Sequence, residues 1–269
     1  MKKIFLCLWV YGCGALVVSI IAFILLYIFS RGFPVMSLDF LLQYPQGLPL
    51  GVAGGIFPAI IGSLYTGAVA AGIASILSFS ISVYLVFYCH HIFLYQIYSF
   101  IIQCISGVPS ILLGLFGYSF FLMVWGIPRS VLSAGLTLAL MILPFVILRF
   151  EKIFREFPQD IVDSSLSLGV SKVYTIWHII LPCRKREISS SVALAVAYAM
   201  GATAPVMYTG TVLYTGHLPG LLDPFMSLPF HLYILVSEGY AVEMAYGTAF
   251  VLLSIVFIIM IACHLLGKG

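Results

Sequence analysis

Six long apolar runs govern what this sequence can become, at roughly residues 5 to 29, 56 to 88, 93 to 124, 130 to 148, 188 to 210 and 240 to 266. A helix needs about 20 apolar residues to cross the hydrocarbon of a bilayer, where each backbone N–H and C=O must be satisfied within the segment. Only 8% of the 269 residues are charged and 62% are hydrophobic, against about 25% charged in a soluble domain. The expected fold class is an all-α polytopic membrane protein with six transmembrane helices. The second and third runs exceed one span, so tilt, kinks or interfacial ends are expected there.

Orientation follows from Lys and Arg, which accumulate on cytoplasmic flanks. With the N-terminus inside, Lys2, Lys3, Arg149, Lys152, Arg155, Lys172, Arg184, Lys185, Arg186 and Lys268 are cytoplasmic, and Arg31 and Arg129 lie outside. Both termini are therefore expected in the cytoplasm. The net charge of +3 reflects this topology and points to no nucleic acid. Lys2-Lys3 could begin a signal peptide, but the apolar run is too long and no small-residue cleavage site precedes Arg31, so an uncleaved first span is expected. Cys7, Cys13, Cys89, Cys104, Cys183 and Cys263 are scattered, with no C-x-x-C and no His at ligand spacing, and read as small apolar fillers. No cofactor is expected. There is no G-x-x-x-x-G-K-[ST], H-E-x-x-H or G-x-G-x-x-G, so any ATP must be bound by another chain.

Two regions stand out against the apolar background. Residues 158 to 182 form a polar island. Pro158 can open a helix, Gly169 can close it, and Ser171 can cap a second short helix running through His178 or beyond. Leu166 and Leu168 lie among Asp163, Ser164, Ser165 and Ser167, which suits docking into a partner's groove better than burial in lipid. The other region is a pair of interruptions, Gly107-Val108-Pro109-Ser110 in the third run and Gly201-Ala202-Thr203-Ala204-Pro205 in the fifth. Proline removes a backbone donor and clashes with the preceding turn. Two readings stand for each: a packing kink, or a discontinuous helix where transporters hold substrate. Residues 30 to 55, with Pro34, Pro45, Gly47 and Pro49, read as an extracytoplasmic linker, and His90-His91 as a cytoplasmic turn.

These residues carry a resemblance. Asp163-Ser164-Ser165, Gly169 and Ile179-Ile180-Leu181-Pro182 have the spacing of the EAA loop of ABC-transporter permeases, with Asp-Ser-Ser where that pattern has Glu-Ala-Ala. Gly54-Gly55-Ile56 with Pro58, Val108-Pro109-Ser110-Ile111 with Gly114, Leu143-Pro144, Thr203-Ala204-Pro205 and Leu228-Pro229 resemble phosphate ABC transporter permeases of the PstA type from about residue 50 onward. The resemblance implies a type-1, MetI-like core of five helices in residues 56–269, with a cytoplasmic coupling loop at 150–186. Residues 1–55 add an N-terminal helix and linker. It also implies a bacterial inner-membrane importer subunit that is not itself an enzyme. Its partners would be a second homologous permease, two cytoplasmic ATPase subunits and an extracytoplasmic substrate-binding protein. ATPase coupling would fall on Asp163, Ser164, Ser165, Leu168, Gly169 and Pro182. The substrate path would run past Pro109, Ser110, Arg149, Tyr198, Ala202, Thr203 and Pro205.

One departure bears on substrate. The family's fifth span reads Arg-x-x-Gly-Glu-Thr-Ala-Pro in the resemblance, whereas this chain has Tyr198 and Ala202 at the Arg and Glu positions. Positions four apart share a helix face, and losing both members of an ion pair strands no charge. The alternatives are a permease for another oxyanion, or a partner subunit that does not touch substrate. Arg149 is expected to end the fourth span, either at the inner mouth of the path or as an ordinary cytoplasmic anchor.

Overall fold

The computed structural model describes residues 2–47, 53–89, 91–239 and 241–266. Pro49, His90 and Lys268, three of the residues used above, lie outside them. Helices α1 (Lys2–Gly32), α3 (Phe57–Val83), α6 (Val131–Arg155) and α12 (Val242–Leu266) are each long and apolar enough to cross a bilayer. Between α1 and α3 lie a short helix, α2 (Leu38–Leu42), and a hairpin pairing β1 (Pro45–Gln46) with β2 (Ala53–Gly54) antiparallel.

The third apolar run is not one straight helix. It divides into α4 (Ile92–Ser106) and α5 (Ser110–Gly117, prolonged by a widened turn over Tyr118–Val124), bent by 95° across the Gly107–Pro109 break. The fifth run also divides. Helix α9 (Leu181–Met200) begins well before residue 188 and carries Arg184 to Glu187 inside it, and α10 (Ala204–Thr209) follows the interruption at Gly201–Thr203. Among the described residues four candidate spans are thus continuous, and the bent pair has the length and composition of a fifth, broken one. The broken α9–α10 segment is compatible with a sixth.

The linker expected at 30 to 55 is held down. Ser37 accepts a hydrogen bond from the Phe40 N–H at the start of α2, and Phe40 is buried with Ile56, Ala59, Met226, Leu228 and Val251. Helix α1 lies along α12 through Phe29 on Phe250 and Tyr27 on Tyr246, and its apolar surface is otherwise uncovered.

The centre of the molecule is the pair α3 and α6. Gly67, Ala70, Ala71, Ala74, Ser78 and Ser82 recur at helical spacing on one buried face of α3. Small side chains let backbones approach closely enough for hydroxyls to reach across. Ser82 donates to the Ile147 carbonyl at 3.1 Å and Ser78 to the Leu143 carbonyl at 3.4 Å. Near the start of α3, Gly62 faces the Met226 carbonyl and Ser63 accepts from the Leu228 N–H at 2.8 Å. That contact docks the head of α11 (Leu228–Glu238).

Gly62→Ala would drive a Cβ into the Met226 carbonyl, with Phe225 Cδ2 only 3.0 Å away. A destabilisation of about 1–3 kcal/mol is expected for forced overpacking. A lowered unfolding temperature of the detergent-solubilised chain checks it; an unchanged one contradicts the contact.

Candidate functional site

The polar island folds as an elbow. Helix α6 runs past Arg149 to Arg155, so the helix does not stop at that arginine; its apolar face continues through Phe150, Ile153 and Phe154. Pro158 then caps α7 (Gln159–Ser167), and the chain turns at Gly169, whose φ is +82°. Gly169 N–H bonds to the Leu166 carbonyl at 3.0 Å and Val170 N–H to the Ser165 carbonyl at 3.2 Å. This is the left-handed helix stop that glycine makes without strain. Ser171 accepts from the Tyr174 N–H to open α8 (Lys172–Thr175). The second helix is not separate, however. A widened turn over Ile176–Ile180 carries α8 straight into α9. Pro182 has no N–H to return to His178, which accounts for regular bonding giving way there.

Val162, Ser165 and Leu166 face inward, while Asp163, Ser164, Ser167 and Leu168 face out. Ser165 is therefore not a docking residue: its buried hydroxyl sits 2.9 Å from that of Thr175 and ties α7 to α8. Leu166 likewise packs on the core. Leu168, by contrast, is 84% exposed, at the tip. Tyr174, stacked on His178, and Trp177 continue the exposed surface. The Asp163 carboxylate accepts from Gln159 at 3.2 Å and its backbone carbonyl from the Ser167 hydroxyl at 2.8 Å, and Pro182 is exposed at the head of α9.

Three contacts fasten the elbow to the bundle, none of them anticipated from sequence. Lys172 Nζ donates to the Phe87 carbonyl at 3.2 Å, beside the Tyr88 ring. Arg184 donates to the Glu156 carbonyl at 2.9 Å and pairs with Glu187. Phe79 meets both Phe154 and Trp177. Nearby, buried Glu151 accepts from Arg155 at 2.8 Å and from the Tyr95 hydroxyl at 2.9 Å, pinning α4 to α6. The Glu151–Arg155 spacing is visible in the sequence; Tyr95 carries no such signal.

The two interruptions come together. A Cβ on Gly114 of α5 would lie 3.0 Å from the Ala204 carbonyl oxygen and from Pro205 Cα, so α5 and α10 touch backbone to backbone. Pro205 is buried in that contact, whereas Pro109 and Ser110 are exposed at the head of α5. Tyr198 is 52% exposed, its ring 5.8 Å from that of Phe145, and the Arg149 guanidinium lies 5.4 Å from the same Phe145 ring. Ala202 is half-buried and faces a narrow internal cleft with Ser63, Thr66 and Ser227; Thr203 is half-buried in the gap. So Tyr198 and Ala202, four residues apart, meet different surroundings, because the helix breaks between them. The buried His231, bonded through Nδ1 to Thr248 at 3.2 Å, joins α11 to α12 and stands apart from both regions.

A membrane bundle with broken spans around a close-packed pair and a protruding helix–glycine–helix elbow has the build of a transport permease. The chain belongs to the family of binding-protein-dependent transport system inner membrane components, which matches residues 89–268. It is 33% identical to the phosphate transport system permease protein PstA 1 of Mycobacterium tuberculosis, over 69% of this chain and 61% of that one. It is 29% identical to a probable PstA of Methanocaldococcus jannaschii, over 75% and 72%, and 25% identical to the probable ABC transporter permease YqgI of Bacillus subtilis, over 73% and 66%. The chain spans 59% to 61% of the length of the mycobacterial relatives. A solved structure of the MetNI methionine ABC transporter in an inward-facing conformation superposes with a TM-score of 0.62 at 16% identity, over 78% of this chain and 93% of that one. That likeness establishes the MetI-like fold.

Lys172→Met would remove the donor to the Phe87 carbonyl. A charged hydrogen bond at a half-exposed site is worth about 1 kcal/mol. Amide hydrogen exchange over residues 84–89 and 171–176 should quicken about fivefold, with α6 unaffected; unchanged exchange contradicts the anchoring role.

Proposed function

We propose that this chain is the membrane subunit of an ATP-driven importer of inorganic phosphate. The observation that carries the reading is the elbow: a rigid corner fastened to α3, α6 and α9 that presents an exposed leucine to the surroundings. A hydrolysing partner that seats Leu168, Gly169, Asp163 and Ser164 can push on the elbow, and the anchors pass that push to the central pair. The excess of basic residues on one set of flanks supports a cytoplasmic elbow and cytoplasmic termini. The partners are then two cytoplasmic ATPase subunits, a second permease and an extracytoplasmic substrate-binding protein, in the bacterial inner membrane. Phosphate as cargo follows the names of the relatives.

The cation for phosphate is the weak point in the sequence and the interesting one in the fold. Tyr198 stands where the resemblance has arginine, but Arg149 reaches the same aromatic, Phe145, from α6. Arg149 can meet an anion from the neighbouring helix, with Tyr198 and Thr203 as hydroxyl donors and Pro109 and Ser110 at the opposite break. A subunit that leaves coordination to its partner permease is the second reading, favoured by the loss of both charges at Tyr198 and Ala202.

Leu168→Asp should leave the amount of protein in the membrane unchanged and cut ATP-dependent uptake of radiolabelled phosphate by about tenfold or more, since a charge enters an apolar docking contact. Uptake at the parental rate would remove the coupling role. Arg149→Gln should weaken phosphate uptake while sparing ATPase docking, measured by co-purification of the ATPase subunits. Parental uptake in that variant would favour the substrate-silent subunit. Tyr198→Arg combined with Ala202→Glu should raise uptake under the first reading; no change supports the second.

A further inference from the structure

Among the clefts the transport reading leaves unused, the one where the first half of α9 meets the end of α12 has cations beside it. It holds about 280 Å³ and is lined by Ser190, Ala193 and Leu194 of α9 and by Met260, Ile261, Cys263 and His264 of α12. Arg186 stands one turn before Ser190 on the same stripe of α9, the spacing of four that stacks side chains on a helix. Lys185 is its neighbour, and both are exposed. The acid of α9, Glu187, is already held by Arg184, and the acid of α12, Glu243, is at the opposite end of that helix. Among the described residues, α9 and α12 thus offer these two cations no acidic partner. The hydroxyls of Ser189 and Ser191 return to backbone carbonyls, while Ser190 lines the cleft.

We propose that this cleft binds one anionic phospholipid of the cytoplasmic leaflet. Its phosphate would sit at Ser190, one turn from Arg186 and with Lys185 on the flanking face, and an acyl chain would lie between Leu194, Met260 and Ile261. Charge complementarity selects an anion, because a zwitterionic lipid brings its own cation to a cleft mouth already flanked by two. The apolar walls select a lipid over a free anion: Ile258, Met260, Ile261 and Leu265 form an exposed apolar band on α12 that continues from the cleft. Basic clusters at the cytoplasmic ends of paired membrane helices are sites of this kind. The leaflet, though not the binding, rests on the orientation adopted above.

Native mass spectrometry of the full chain in nonionic detergent, titrated with dioleoyl phosphatidylglycerol or dioleoyl phosphatidylcholine, tests the site. One phosphatidylglycerol should bind at least about fivefold more tightly than phosphatidylcholine, and Arg186→Gln should lower that affinity about fivefold. Ile261→Trp, which fills the cleft from the exposed side, should abolish the site. Arg129→Gln, exposed and far along the sequence, should leave it intact. Equal binding of the two lipids, or parental phosphatidylglycerol affinity in Arg186→Gln, overturns the proposal. So does displacement of the lipid by excess inorganic phosphate, which would mark a free-anion site. Binding is read without transport, so a failure of phosphate uptake leaves this result standing on its own.

Discussion

The close approach of α3 and α6 is the contact on which the other elements depend. Lipid tails are as apolar as leucine, so two membrane helices gain little from burying bulk; they gain from packing atoms tightly and from hydrogen bonds that hydrocarbon cannot offer. The stripe from Ala70 to Ser82 supplies both. Its alanines, met by Gly135 of α6 against Val69 and the Ala70 backbone, bring the helices together, and its serines reach the Leu143 and Ile147 carbonyls of α6. The carbonyl of residue 140 lacks its usual partner because Pro144 has no N–H, so α6 is softened near the point where α3 grips it. Helices α4, α5, α9 and α10 then pack around this pair.

The elbow is built on the same support. Its corner is local chemistry: a proline start, a glycine stop and a serine cap. Its position is not. Lys172 reaches the widened turn that prolongs α3, Arg184 reaches the end of α6, and Phe79 and Trp177 meet at a tilt across the join. The elbow is therefore fastened to the ends of α3 and α6 and runs on into α9. Polar anchoring of this sort fixes its orientation, because a few directional bonds hold one geometry where an apolar contact would slide.

Losing the Arg and Glu implied by the resemblance is easier to understand in three dimensions than along the chain. Tyr198 and Ala202 look like neighbours on one helical face, yet α9 ends at Met200. Tyr198 turns outward beside Phe145, and Ala202 turns into a cleft with Ser63, Thr66 and Ser227. Those hydroxyls would suit a carboxylate at 202, and Arg149 and Tyr198 each lie against the Phe145 ring.

Local physics settled much of this protein in the sequence: the apolar lengths that demand helices, the prolines and glycines that break them, and the Pro158–Gly169–Ser171 punctuation of the elbow. These depend on a residue and its near neighbours, so they can be read in one dimension. Tertiary structure decided the rest. It turned Ser165, Leu166 and Pro205 inward when their residue types suggested contact with partners or substrate, carried α6 beyond Arg149, and joined α8 to α9. It also brought Tyr95 to Glu151 and Lys172 to the Phe87 carbonyl. Those outcomes turn on which face of a helix meets which neighbour, and such choices are made between segments far apart in the chain, where spacing carries no trace of them.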